Sequence, residues 1–253
     1  MIDTHSHLYS TDFDEDREEM VLRAKQAGVQ RVYLPAIDST THEAMMQIAT
    51  AHSDFAIPMM GLHPCYVDAG YEKELEIVET WLKKSSFAAI GEIGLDYYHS
   101  TEFKEQQIDA FRRQILWAKQ YELPIIIHTR SAMDETIKMV AEEGEGKVTG
   151  IFHCFGGDER QANKVIELGY MLGIGGVVTY KNAGLAELVA KIPLEWLVLE
   201  TDAPYLTPVP FRGKRNETAY VRYVAEKIAQ LKNISVEEVV EVTTANAKKV
   251  FRI

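Results

Sequence analysis

Eight short apolar segments alternate with amphipathic helical stretches along this chain, and that alternation constrains its fold more than any other feature. The strand candidates are Ile2–His7, Arg31–Ala36, Ile57–His63, Ala88–Gly94, Pro124–His128, Val148–His153, Tyr170–Ile174 and Trp196–Thr201. Between and after them the pattern predicts helices over Asp12–Ala27, Thr41–His52, Glu72–Lys84, Thr101–Tyr121, Met133–Glu143, Asp158–Leu168, Gly184–Lys191 and Asn216–Leu231. In the fourth of these, Ile108, Phe111, Ile115 and Ala118 recur at helical spacing with charges on the opposite side. A strand followed by a helix, eight times over, most economically closes into a (β/α)8 TIM barrel, an α/β fold. A doubly wound open sheet would want a glycine-rich phosphate turn after an early strand, whereas the first strand here runs into His5 and His7. An additional C-terminal helical region starts at Ser235, with Glu238 at capping-box spacing, and is expected to pack on the outside. No linker rich in Pro, Gly or Ser interrupts the chain, so residues 1–253 read as one domain.

In such a barrel the carboxyl ends of the strands converge on one mouth, where chemistry sits. The first strand ends in His5 and His7, the third in His63, and the fourth carries Glu92. The fifth and sixth finish at His128 and His153, and the eighth leads into Asp202. Singly, each has an ordinary reading as a strand-end histidine, a salt-bridged carboxylate or a hydrogen-bonded core imidazole. Together they have the make-up of a binuclear metal site, because imidazole favours Zn, Mn, Fe, Co or Ni and carboxylates bridge ions or hold Mg. The expected partition puts His5, His7 and Asp202 on one ion and His128 and His153 on the other, with Glu92 reaching both. Two cations about 3.5–4 Å apart share a water, lower its pKa and hold the attacking and leaving oxygens. His63 reads as a substrate or supporting contact ahead of a further ligand. Asp96 orients a ligand or already belongs to a loop, and Glu200 supports the site or forms a buried ion pair. His42, His52 and His99 read as surface residues. Cys65 and Cys154 neighbour site residues, but strand alternation turns Cys154 away from His153, and no thiol chemistry is expected.

Hydrophobic residues at 46% and charged residues at 26% fit a globular chain able to bury a full core. No apolar run approaches a membrane span, and no basic-then-apolar leader opens the sequence. The 2 Cys are far apart and form no CxxC pair, which suggests a reducing, cytoplasmic setting. A monomer away from membranes is the expected state. The formal net charge of -11 argues against tight, non-specific binding to duplex nucleic acid.

The segments "DTHSHL", "GLHP", "GEIGLDYY", "IIIHTR", "FHCFGG", "ETDAPYL" and "RGKRNE", in that order and followed by "NAKKVF", closely resemble the TatD family of metal-dependent deoxyribonucleases within the amidohydrolase superfamily. The resemblance implies a TIM barrel with two divalent cations (Mg, Mn, Zn or Ni) and hydrolysis of DNA, typically from the 3′ end. It implies that His5 and His7, with Asp202 nearby, hold one ion, that His128 and His153 hold the other, and that Glu92 is shared. Many members of the superfamily bridge their metals with a carbamylated lysine; the matching strand here offers Glu92, as the TatD branch does. Asp202 is then placed to take or steer the proton of an attacking water, and Glu92 and Asp202 are the catalytic carboxylates. Arg130, Arg212, Lys214 and Arg215 are candidates to meet phosphate charge, "FRGKR" being the densest basic cluster, although a solvated loop is the other reading of that stretch. Tyr205 and Phe211 either stack on a base or pack internally. The expected partner is DNA, as a single strand or frayed 3′ end, since two divalent ions add about four positive charges where phosphate must sit. The alternative is the same barrel hydrolysing an ester or amide, such as an aminoacyl-tRNA or a small molecule, because substrate choice lives in the loops. A metal-binding scaffold without turnover would be expected to lack a proton-handling carboxylate, and here both are present.

Overall fold

All eight expected strands are present, and all are parallel, in a computed structural model that describes residues 1–253. They are β1 (Ile2–Asp3), β2 (Arg31–Pro35), β3 (Ala56–Met59), β4 (Ile90–Asp96), β5 (Ile125–Arg130), β6 (Gly150–Phe152), β7 (Met171–Ile174) and β8 (Leu197–Leu199). Hydrogen-bonded neighbours run β1-β2-β3 and β4 through β8 in chain order. A Met60–Ile90 bridge joins the two sets on one side and a Ser6–Ala203 bridge on the other, which closes the barrel. The helices are α1 (Arg17–Gln26), α2 (Ser39–Ala51), α3 (Tyr71–Lys84), α4 (Lys104–Tyr121), α5 (Met133–Gly144), α6 (Glu159–Glu167), α7 (Leu185–Lys191), α8 (Val221–Lys232) and α9 (Val236–Phe251). None is long and apolar enough to cross a membrane.

Local chemistry explains where elements depart from their apolar runs. Past Asp3 the first segment stays extended but bonds alternately to its two neighbours. The Thr4 N–H donates to Leu199 O, the Ser6 N–H to Tyr33 O and the His7 N–H to Ala203 O. The expected start of α8 at Asn216 moves to Val221 because the Asn216 amide donates to the Thr201 and Tyr205 carbonyls instead. α2 and α6 each open with a reciprocal capping box, Asp38 with Thr41 and Asp158 with Gln161. In α9 only half of the expected box forms: the Glu238 N–H donates to Ser235 Oγ at 3.0 Å.

The core has two layers. A cluster of 56 buried residues lies between the barrel and its helices. A second, of 11, takes one residue on or beside each strand: Ile2, Tyr33, Met59, Ala89, Ile126, Ile151, Met171 and Val198. Ala247, Val250 and Phe251 of α9 complete this inner layer. Phe251 stacks on Tyr33, centroids 3.6 Å apart and planes 9° apart. The C-terminal helix therefore stoppers the amino-terminal end of the barrel rather than lying on its outside as expected. Its apolar face meets the open ends of the strands, the one apolar surface that the ring of eight helices leaves uncovered.

One irregularity positions the site. Plain alternation from the inward Ala89 would turn Glu92 out of the barrel. The β4–β5 register slips between Gly91 and Ile93, and such a bulge re-aims the residue beside it. Glu92 and Asp96 consequently share the inner face of the mouth. Gly94 allows the tight β4–β5 contact that follows: its φ is +143°, and a Cβ there would overlap the His128 carbonyl.

Candidate metal centre

The candidate donors meet at the carboxyl ends of the strands, under a cavity of about 1440 Å³ lined by His7, His63, Glu92, His128, His153 and Asp202 among others. His5 lies beneath, fully buried. Glu92 is the hub. Its Oε2 lies 3.1 Å from His5 Nε2 and 3.9 Å from His7 Nε2. Its Oε1 lies 3.0 Å from His128 Nδ1, 3.4 Å from His63 Nε2 and 3.8 Å from His153 Nε2. Asp202 Oδ1 reaches His7 Nε2 at 3.4 Å, His5 Nε2 at 3.7 Å and His153 Nε2 at 3.9 Å.

These residues fit divalent-cation binding. With metal–ligand bonds of about 2.1 Å, neighbouring ligand atoms of a tetrahedral or octahedral shell stand about 3.0–3.4 Å apart. The His5, His7, Glu92 and Asp202 atoms are spaced at or just beyond that range. Both ring nitrogens of His5 are buried without a hydrogen-bond partner, so Nε2 approaches Glu92 without being satisfied by it. An uncompensated buried imidazole is costly, and coordination is the chemistry that would compensate it.

The electrostatics agree. Burial, with His153 alongside, holds the His5 pKa below its usual value, and burial does the same for His63. Both rings are therefore neutral, the ligand form. For His153 burial works the other way from its neighbours, but the charges of Glu200, Glu92 and Asp202 prevail and push it up to about 10. Burial favours a neutral Glu92, yet His5, His63, His153 and His128 hold it well below the carboxylate range. Asp202 is likewise lowered, by His153 and His7 against burial. Carboxylates held ionised beside neutral His5 and His63 are the charge states that cation ligands require.

Supporting contacts set ring orientation. The Tyr9 hydroxyl donates to Pro35 O at 2.5 Å, so at 2.9 Å it accepts from His7 Nδ1–H and leaves Nε2 free to face the carboxylates. Asp3 does not share the mouth with His5 and His7; its carboxylate takes the Thr201 N–H and hydroxyl and the His5 N–H. Glu200 Oε1 lies 3.1 Å from His153 Nδ1 and accepts the Cys154 N–H at 2.7 Å. Tyr9 and Thr201 escaped the sequence reading; Tyr9 lies in the turn that follows His7, closed by the Ser10 N–H to His7 O, where strand parity gives no guide.

Several expectations change. His153 stands between the two groups, its ring stacked on His5 with centroids 3.4 Å apart while its Nε2 faces Glu92 Oε1, and His63 lies beside His128, centroids 4.4 Å apart. Cys154 is not turned away: it lines the cavity, because its φ of +46° breaks the alternation just past β6. His42 is not a surface residue but 1% exposed, edge-on to Trp81 on the inner side of α2. His52 is half-buried against Glu18, and exposed His99 bends back onto Asp96 at 2.9 Å. Arg130 and Tyr205 line the cavity, whereas Arg212, Lys214 and Arg215 do not. Arg215 is committed elsewhere, to Asp16 at 2.7 Å and over the Phe13 ring. Arg212 lies over Tyr180, and Phe211 stacks on Tyr220. Burial pushes the Cys65 thiol up to about 12, helped by Asp96, and raises Cys154 too, so neither is a thiolate nucleophile at neutral pH.

Comparison with known proteins places this geometry among relatives. The family model described as TatD related DNase matches residues 2–252. An uncharacterised metal-dependent hydrolase of Bacillus subtilis, YabD, is 42% identical, covering 100% of this chain and 99% of that protein. Human "Deoxyribonuclease TATDN3" is 36% identical over 99% of this chain and 94% of its own. Among solved structures, a TatD homologue of Escherichia coli, YJJV, superposes with a TM-score of 0.93 at 29% identity, covering 100% of this chain and 98% of that one.

Proposed function

The chain belongs to the TatD-related DNase family and is a metal-dependent hydrolase, and from that premise we propose that it is a deoxyribonuclease that removes nucleotides from the 3′ end of DNA with two divalent cations. The observation that carries the two-cation reading is the division of Glu92, one oxygen toward His5 and His7 and the other toward His128 and His63. DNA as substrate is supported by the human relative's name and by the character of the cavity wall. Tyr205, 54% exposed and 6.0 Å from the His7 ring, offers a face for a terminal base. Arg130, stacked 3.7 Å over Tyr98, offers a fixed positive charge for a phosphate.

Ions held by His5, His7, Glu92 and Asp202 on one side, and by His128, His63 or His153 and Glu92 on the other, would supply Lewis acidity and lower the pKa of a nearby water. The protein's own groups do the rest. Asp202, ionised and at the lip of the cavity, accepts the proton of the attacking water at its carboxylate. Tyr9 holds the His7 ring in register, and Glu200 sets its charge 3.1 Å from His153 Nδ1. Arg130 meets charge that develops on the phosphate oxygens.

The test is a substrate panel on metal-reconstituted protein: a 5′-labelled single strand, the same strand in a duplex, an aminoacyl-tRNA and a simple phosphodiester. The expected result is a ladder shortening from the 3′ end, faster on the single strand. Turnover of the aminoacyl ester alone would overturn the nuclease reading.

A further inference from the structure

Beside the centre described above, a second group of donors has the spacing of a zinc site. Cys65 Sγ lies 3.4 Å from Asp96 Oδ2 and 3.5 Å from His99 Nδ1, and that nitrogen lies 2.9 Å from the same carboxylate oxygen. With Zn–S of about 2.3 Å and Zn–N or Zn–O of about 2.0 Å, a tetrahedral ion requires sulfur-to-nitrogen and sulfur-to-oxygen edges of about 3.5 Å and a nitrogen-to-oxygen edge of about 3.3 Å. The two sulfur edges match, and the third needs only a small opening. We propose that Cys65, Asp96 and His99 form a third cation site, selective for zinc-like ions, on the wall of the catalytic cavity.

The carboxylate at its centre is built in rather than draped on the surface. Asp96 is 1% exposed. Its other oxygen accepts the Tyr98 and His99 N–H groups at 3.0 and 2.9 Å. Gln107, buried, grips both the N–H and the carbonyl of the same residue. Oδ2 is thereby aimed at Cys65, at His99 and, at 2.8 Å, at His128 Nε2. Three protein ligands leave a fourth position, and all but the buried Asp96 line the cavity; an ion there would meet an anionic oxygen of whatever occupies the cavity. Thiolate selects the site against Mg and Mn. Binding expels the Cys65 thiol proton to solvent.

The inference does not depend on the nuclease reading, because the thiolate has its own spectrum. Titrating the metal-free protein with Co(II) is expected to give a thiolate-to-cobalt charge-transfer band in the near ultraviolet, a signal that nitrogen and oxygen donors do not produce. Cys65→Ser should abolish the band and bind one equivalent less. His99→Ala, at an exposed position, should weaken the last equivalent by about tenfold or more, and Cys154→Ser should change neither. A band that is missing from the wild type, or that survives Cys65→Ser, overturns the site. A band lost in Cys65→Ser but indifferent to His99→Ala puts the sulfur on the His63–His128 side and equally overturns it.

Discussion

Among the donors grouped around His5 and His7, Asp202 is the most exposed: its side chain is 14% exposed, against 0% for His5, 7% for His7 and 3% for Glu92. That position allows proton exchange with an incoming water. Asp202→Asn should therefore lower kcat by about 10²–10⁴-fold while circular dichroism stays unchanged. A steadier dependence sits one step back. A Cβ at Gly173 would overlap the Glu200 carboxylate, whereas at Gly175 it would meet only ordinary contacts of 3.6 Å or more. Gly173→Ala should displace Glu200, release His153 and weaken metal binding by about 10–100-fold in a chelator-competition titration. Gly175→Ala is the silent control. The convergence of His5, His7, Glu92, His128, His153 and Asp202 was legible because each ends or follows an apolar run, where a polar residue needs a reason. The loyalties of Arg215 and Cys154 were not legible. Basic density names no partner, and a single left-handed residue past β6 defeats any parity argument.

At the level of elements, α9 contributes more than its amphipathic pattern announced. Periodicity reveals that a helix has an apolar face but not which apolar surface is still uncovered. Phe251→Ala should empty the contact with Tyr33 and cost about 3–5 kcal/mol, read as a lower midpoint in urea at unchanged slope. The Asn246 amide, which donates to the Leu194 and Leu197 carbonyls, ties the same helix to the start of β8. Across the barrel, Arg215 and Arg23 clamp Asp16 beside α1, and Arg23 also holds Glu217 ahead of α8. Hydrogen bonds from the two guanidiniums lower the Asp16 pKa to about 2. The unfolded chain thus takes up this proton first on acidification. The clamp contributes fully above about pH 5 and is lost as pH falls from about 4 through about 2. Thermal midpoints of the wild type and Asp16→Asn should differ at neutral pH and merge in acid. Strand number and order could be read from the period-two runs, but the late start of α8 depended on Asn216 satisfying two distant carbonyls, which no local pattern reports.

For the whole molecule, the site is an electrostatic debt against a chain already at -11. Cations that bind only the folded state should raise its stability. At 100 times Kd the gain is about 2.7 kcal/mol, or about 5–10 °C in Tm for a chain of this size. Differential scanning calorimetry with and without chelator measures it, and an unmoved Tm would argue that the donors do not hold ions. The stopper formed by α9 has a consequence of another kind. With Phe251 seated on Tyr33, the barrel has one door. Whatever is cut enters and departs through the same threshold, and the severed piece must clear it before the next scissile bond can be seated. A release step slower than cleavage has a plain signature, a burst of product in the first turnover followed by a slower steady rate.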